Sequence, residues 1–167
     1  MAPSAREHIL CVDDEEGILT ALRQQLRGRF GGQCEIHVAQ SAKDALELVD
    51  DLVKEKEELA VIIADQIMPG MKGVELLEEV NTRSPGTTKI LLTGQAGLDA
   101  VVNAINRAGL NYYLPKPWDE PDLWLAVDNL LRQFCLDRQN RRLVADLNIR
   151  NEELERMNQI LEDRVGE

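Results

Sequence analysis

The chain has no cationic excess. Its 19 basic residues are outnumbered by 30 acidic ones, a formal net charge of −11 over 167 residues. A surface that grips a nucleic-acid backbone needs the opposite sign, so no direct nucleic-acid contact is expected. No apolar run approaches the roughly 20 residues that a membrane-spanning helix needs. The opening MAPSAREHILCVDDEE also lacks a signal-peptide core. No membrane partner is expected, and a cytoplasmic location is. Cysteine is scarce: Cys11, Cys34 and Cys135 are odd in number, far apart and without metal-ligand spacing. Each lies in an apolar stretch, where a reduced cysteine packs as a small hydrophobe. The two histidines, His8 and His37, stand alone in the sequence with no partner pattern, and nothing supports a zinc site.

What the chain does have is enough apolar material, 44% of its residues, to bury one full domain with an appendage. Through about residue 120 short apolar runs alternate with amphipathic stretches, the pattern of an α/β domain with a parallel sheet. His8–Val12 reads as a strand that ends in Asp13-Asp14-Glu15-Glu16, and Ile18, Leu19, Leu22 and Leu26 follow at helical spacing. Glu35–Ala39 is the second strand. Ser41 is set to cap a long helix running to about Leu59, and Val61–Ala64 is a buried strand leading straight into Asp65. After Met68-Pro69-Gly70 a helix carries Val74, Leu76, Leu77 and Val80. Lys89–Leu92 then arrives at Thr93, Leu98–Ala108 is helical, and Asn111–Leu114 forms a fifth strand that stops at Pro115. A last helix starts at Asp119 or Glu120. Five βα pairs in strict alternation fit a doubly wound sheet with right-handed crossovers.

Strand placement brings particular side chains to one edge. Asp13 and Asp14 end the first strand, Asp65 the third, Thr93 the fourth, and Lys116 follows the fifth. In an open parallel sheet the carboxyl ends of the strands form the crevice where ligands bind. Three crowded carboxylates repel and call for a cation, and all-oxygen ligation suits Mg²⁺, or Mn²⁺ in its place. A carboxylate can attack phosphorus to give an acyl phosphate. Charge on the transferring group would be met by the metal, the Lys116 ammonium and the Thr93 hydroxyl. Taken singly, Asp13-Asp14 reads as a solvated helix N-terminus, Asp65 as a turn residue and Thr93-Gly94 as an ordinary strand exit. Their coincidence at strand ends is what carries the reading.

The four segments VDDEE, ADQIMPGMKG, LLTG and YYLPKPW, in this order, resemble the receiver domain of two-component response regulators over about residues 5–135. The resemblance implies a flavodoxin-like fold with strand order 2-1-3-4-5. It implies Asp65 as phosphoacceptor, Asp14 as a direct Mg²⁺ ligand, Asp13 as the acid that holds the metal's water shell, and the Ile67 backbone carbonyl as the third protein ligand. It makes Lys116 the phosphate-pairing cation, Thr93 the switch hydroxyl and Tyr113 the aromatic that moves with it. It also implies a cis Lys116–Pro117 peptide. The implied partner is a histidine kinase or phosphotransfer protein, and the implied role is a switch and not an enzyme in its own right. Ile67 and Gln95 would flank the path of hydrolytic water. A metal-dependent phosphohydrolase with an aspartyl nucleophile is the competing reading. It would want an acid two residues after the nucleophile, where this chain has the apolar Ile67. A receiver-like adaptor without phosphorylation would be expected to lack Asp65 or Lys116, and both are present.

Two features depart from that pattern. The second helix holds an extra charged segment, Lys54-Glu55-Lys56-Glu57-Glu58, expected on the surface and away from the chemistry. Beyond about Asp137 proline is absent, glycine is absent until Gly166, and charges surround sparse leucines. The reading is therefore a receiver at 5–136 and a helical stalk at 137–167. The stalk stops within a helical pattern, so an output domain is expected beyond it. A cyclic-nucleotide enzyme or a histidine kinase fits better than a DNA-binding domain. With Leu147, Leu154 and Leu161 at heptad position d, Val144, Asn151, Asn158 and Val165 fall at a, a two-stranded coiled-coil pattern that predicts a homodimer.

Overall fold

The computed structural model describes residues 6–94 and 98–165. Strands and helices alternate without exception: β1 (Glu7–Val12), α1 (Glu16–Phe30), β2 (Cys34–Ala39), α2 (Ala42–Lys54), β3 (Leu59–Asp65), α3 (Gly73–Arg83), β4 (Thr88–Thr93), α4 (Leu98–Ala108), β5 (Tyr112–Pro115) and α5 (Glu120–Val165). The strands make one all-parallel sheet in the order β2-β1-β3-β4-β5. The chain winds outward from β1 to β2, then returns past β1 to β3. The crevice at that reversal is where such sheets bind ligands. Among the described residues no helix is long and apolar enough to cross a membrane.

Burial explains the strand sequences. Every residue of β3 and β4 is buried, because helices cover both faces of the sheet. Such strands read as continuous apolar runs and not as alternation. The edge strands β2 and β5 are only partly buried, and Pro115 sits on the β5 edge, where its missing donor is tolerated. On one face Leu10, Val12, Ile62, Ala64 and Leu91 pack against Val49 and Leu52 of α2, Leu76, Leu77 and Val80 of α3, and Ala104 of α4. Strand alternation turns Ile9, Cys11, Ile63 and Ile90 to the opposite face. On that side α1 is tied to the start of α5 by Trp124, whose indole N–H donates to the Gln25 carbonyl at 2.8 Å. Cys11 and Cys34 are buried, and Cys135 is half-buried.

The chain divides into two compact units, Met1–Phe134 and Cys135–Glu167. The second consists of the later turns of α5, where Leu143, Val144, Leu147, Leu154, Met157, Ile160 and Leu161 are all exposed.

Two expectations need correcting. The second helix does not run to Leu59: it starts under the expected cap, with the Asp44 N–H donating to the Ser41 hydroxyl at 3.1 Å, but ends at Lys54. Lys56 then adopts a left-handed φ of 59° and the Glu57 N–H returns to the Leu52 carbonyl at 2.9 Å. The reversal frees Leu59 to pair with His8 as the first residue of β3. Nor are the histidines alone. His8 Nδ1 lies 2.9 Å from His37 Nε2 across the neighbouring strands β1 and β2.

Two glycines have opposite roles. A Cβ at Gly73 would collide with the backbone of Asp65 and Gln66, whereas one at Gly28, inside α1, would meet open space. We expect Gly73→Ala to destabilise the fold by about 1–3 kcal/mol through overpacking. Gly28→Ala should stabilise it by about 0.5–1 kcal/mol through helix propensity. Urea unfolding checks both, and equal shifts of the same sign would contradict the packing at Gly73.

Candidate functional site

The sheet delivers its polar groups to one edge because β1, β3 and β4 run parallel and end side by side. Asp13 is fully buried immediately after β1, held there by its own N–H donating to the Ala39 carbonyl at 3.2 Å. Its Oδ1 accepts from the Glu15 N–H at 2.9 Å, fixing the entry to α1. Asp14 is exposed beside it. Asp65 ends β3 and is 6% exposed, and Thr93 ends β4 at 4%.

Lys116 joins these elements. Its backbone N–H donates to the Thr93 carbonyl at 2.7 Å, which seats the residue against the end of β4. Its Nζ then lies 2.9 Å from Asp13 Oδ2 and 3.0 Å from Asp65 Oδ1. The Lys116–Pro117 peptide is cis. One carboxylate oxygen from each of Asp13, Asp14 and Asp65 falls within 4.8 Å of the other two. Burial raises the Asp65 carboxyl above its ordinary value; the Lys116 hydrogen bond opposes this, while Asp13 and Asp14 add to it. Burial also pulls Lys116 down, but its pairing with Asp13 and Asp65 outweighs that and holds the ammonium above its usual range. The group is therefore a permanent cation between two poorly solvated carboxylates.

Of the residues predicted from sequence, Asp13, Asp14, Asp65, Thr93 and Lys116 meet at this edge. Tyr113 is 45% exposed on β5, and Ile67 is 72% exposed in the loop after β3. Gln95 lies outside the described residues. Sequence reasoning missed the brace beneath Asp65. The Gln66 N–H donates to the Leu92 carbonyl at 3.2 Å, its Oε1 accepts from the Val74 N–H at 3.0 Å, and its carbonyl accepts from the Gly73 N–H at 3.1 Å. With Gly73 pressed against the Asp65 backbone, these bonds fix the direction in which the Asp65 carboxylate leaves the sheet. The glycine at the start of α3 was the available signal, since a helix start does not itself demand one.

The chemistry of the donor set fits a hard divalent cation. Three carboxylates and one ammonium leave two uncompensated negative charges, and all the donors are oxygens. A parallel doubly wound sheet with acids at β1 and β3, a hydroxyl at β4 and an ammonium after β5 defines a phosphoryl-accepting switch of the two-component type. Residues 9–128 match the family described as the response regulator receiver domain. The chain belongs to that family, and phosphorylation-based signalling is its business. It is 34% identical over 139 residues to the hydrogenase transcriptional regulatory protein HoxA of Cupriavidus necator, which aligns with 83% of this chain. The chain spans only 27% of that relative's length. Among solved structures, the receiver domain of an HD domain-containing protein from Pseudomonas fluorescens Pf-5 superposes with a TM-score of 0.72 at 34% identity. That match covers 83% of this chain and 96% of the other. A structure described as an adenylate cyclase from Rhodopirellula baltica gives 0.74 at 28% identity, covering 84% and 98%.

Proposed function

We propose that Asp65 accepts a phosphoryl group from a histidine kinase or phosphotransfer protein and that the signal leaves through the stalk. The observation that carries this reading is Lys116 bridging Asp13 and Asp65 beside an open acidic cluster. In the transfer, an Asp65 carboxylate oxygen forms the new bond to phosphorus. The bond from phosphorus to the donor imidazole nitrogen breaks, and its electron pair stays on that nitrogen. Asp14, Asp65 and the Ile67 carbonyl would hold Mg²⁺ or Mn²⁺, with Asp13 acting through a water. When bound, the ion supplies positive charge for the transferring phosphoryl oxygens. Lys116 pairs with one of those oxygens and keeps Asp13 neutralised. Thr93 offers its hydroxyl to another and, in moving towards it, makes room for Tyr113. These residues promote their own loading and unloading, so the chain is a switch and not an enzyme with turnover on an outside substrate. We place the chain in the cytoplasm, in keeping with the lack of a membrane-spanning helix among the described residues.

This assignment is tested with acetyl phosphate and Mg²⁺. Mass spectrometry should show one phosphoryl group on the chain, absent in Asp65→Asn and absent after chelation. Thr93→Ala should still load, but should lose the phosphorylation-dependent change in tyrosine fluorescence. The same adduct on Asp65→Asn would overturn the phosphoacceptor assignment.

For the receiver we assign residues 5–136, and for the stalk 137–167. The stalk holds eight acidic and six basic residues, so mixed charge and not a cationic patch covers its outside. The apolar seam of Val144, Leu147, Leu154 and Leu161, however, lies exposed in a single chain. Pairing two stalks in parallel would bury it, with Asn151 and Asn158 fixing register. Arg150 faces Glu155 of the second stalk at the rim, a pair contributing well under about 1 kcal/mol. Phosphorylation would then turn two stalks together. We place a cyclic-nucleotide enzyme or a histidine kinase downstream, in keeping with the adenylate cyclase and HD domain-containing proteins to which the chain is similar. The transcriptional regulators among its relatives support DNA-binding output as the second reading. Light scattering should give a dimer mass for the whole chain and a monomer mass for Leu147→Asp/Leu154→Asp. A monomeric wild type at high concentration, or a dimeric variant, would remove the stalk as the dimerisation element.

A further inference from the structure

A second cluster of ligating side chains lies on strands β1 and β2, near the opposite end of the sheet from Asp65. His8 is 5% exposed, near the start of β1, about 16 Å of extended strand from Asp13. Its Nδ1 faces His37 Nε2 at 2.9 Å and a Glu35 carboxylate oxygen at 3.7 Å. Its Nε2 is in contact with Glu57, in the reversal between α2 and β3. One atom each from His8, Glu35 and His37 lies within 4.8 Å of the other two.

The proton arrangement makes this more than a chance meeting. A carboxylate against Nε2 keeps the His8 proton on that nitrogen, which leaves Nδ1 as a lone pair aimed at the second imidazole. The two imidazoles thus point nitrogens at one spot, with the Glu35 and Glu57 carboxylates around them. Either a single proton or a divalent cation can occupy that spot. Nitrogen and oxygen ligands in a small, partly open cluster suit zinc chemistry and not magnesium. With zinc–nitrogen bonds of about 2.0–2.1 Å, tetrahedral ligation needs a nitrogen separation of about 3.3 Å. The two rings would have to part by a few tenths of an ångström, and His37 at the half-exposed edge strand is free to do so.

We propose that His8 Nδ1, His37 Nε2 and Glu35 bind a divalent transition-metal ion of the zinc class, with Glu57 as the carboxylate that positions His8. The fourth place is open to water, as in three-ligand zinc sites. The ion would tie the β2 edge to β1 and hold the turn after α2, independently of phosphorylation at Asp65.

Cobalt(II) is the probe, because four-coordinate cobalt with nitrogen ligands gives visible bands that an all-oxygen six-coordinate site gives only weakly. The whole, tag-free chain is titrated with Co²⁺ in saturating Mg²⁺, which keeps the acidic cluster of Asp13, Asp14 and Asp65 filled. One cobalt per chain with four-coordinate bands is expected, unchanged in Asp14→Asn and displaced by Zn²⁺. His37→Gln and the exposed Glu35→Gln, each checked for native circular dichroism, should lose the bands. Glu57→Gln should keep them but weaken affinity by about 10–100-fold. Absence of the bands in the wild type would overturn the proposal. So would their persistence in a folded His37→Gln or Glu35→Gln chain, or their loss in Asp14→Asn.

Discussion

The Lys116 ammonium, 2.9 Å from Asp13 and 3.0 Å from Asp65, is the contact on which the carboxyl edge depends. Two buried carboxylates on adjacent strands cannot stand side by side unaided, because desolvation and mutual repulsion both disfavour the charged forms. A single cation between them makes the pair tolerable without neutralising the edge. Asp14 remains exposed and uncompensated, so the site keeps its demand for a further cation. Lysine suits this position better than arginine. Its compact charge on a flexible stem can serve two carboxylates at once.

The fold makes that contact possible. Lys116 is more than a hundred positions from Asp13 in sequence, and only the parallel order β2-β1-β3-β4-β5 brings their strand ends together. Backbone bonds then set each side chain's direction. The Lys116 N–H is anchored on Thr93, the Asp13 N–H on Ala39, and Asp65 is braced from below by Gln66 and Gly73. Charge is thus held by rigid strand ends on three sides and left open on the side of Asp14 and Ile67, where the loop after β3 meets solvent.

Much of this was legible in the residues. The buried runs at Val61–Ala64 and Lys89–Leu92, each ending in a polar residue, located the strands and the site together. Leu98–Ala108 was recovered to the residue as α4. What could not be read was local geometry without a strong sequence signal. The sequence carries the second helix from its Ser41 cap through Lys54–Glu58, and nothing in those residues announces the left-handed turn at Lys56. Gln66 is an ordinary polar residue until the backbone groups it serves are in place. His8 and His37 looked solitary because their distance in sequence is bridged by register alone. Pairing β1 with β2 sets His8 beside Glu35 and Leu10 beside His37 on the same face. Strand order implied that β1 and β2 were neighbours, but not their register.

Burial disfavours the charge on Asp65, and the Lys116 ammonium makes it bearable. Its carboxyl is raised in the folded chain, so between its ordinary value and its folded value the native state binds the extra proton. This site therefore weakens the fold as pH rises through that window, and most at pH values above it. The direct measurement is a carbon-13 NMR titration of the Asp65 carboxyl in the magnesium-free chain, compared with Lys116→Met. A midpoint above the ordinary 3.8 is expected in the wild type, with a further rise when the ammonium is removed. A wild-type midpoint at or below 3.8, or one that Lys116→Met leaves where it was, would contradict it.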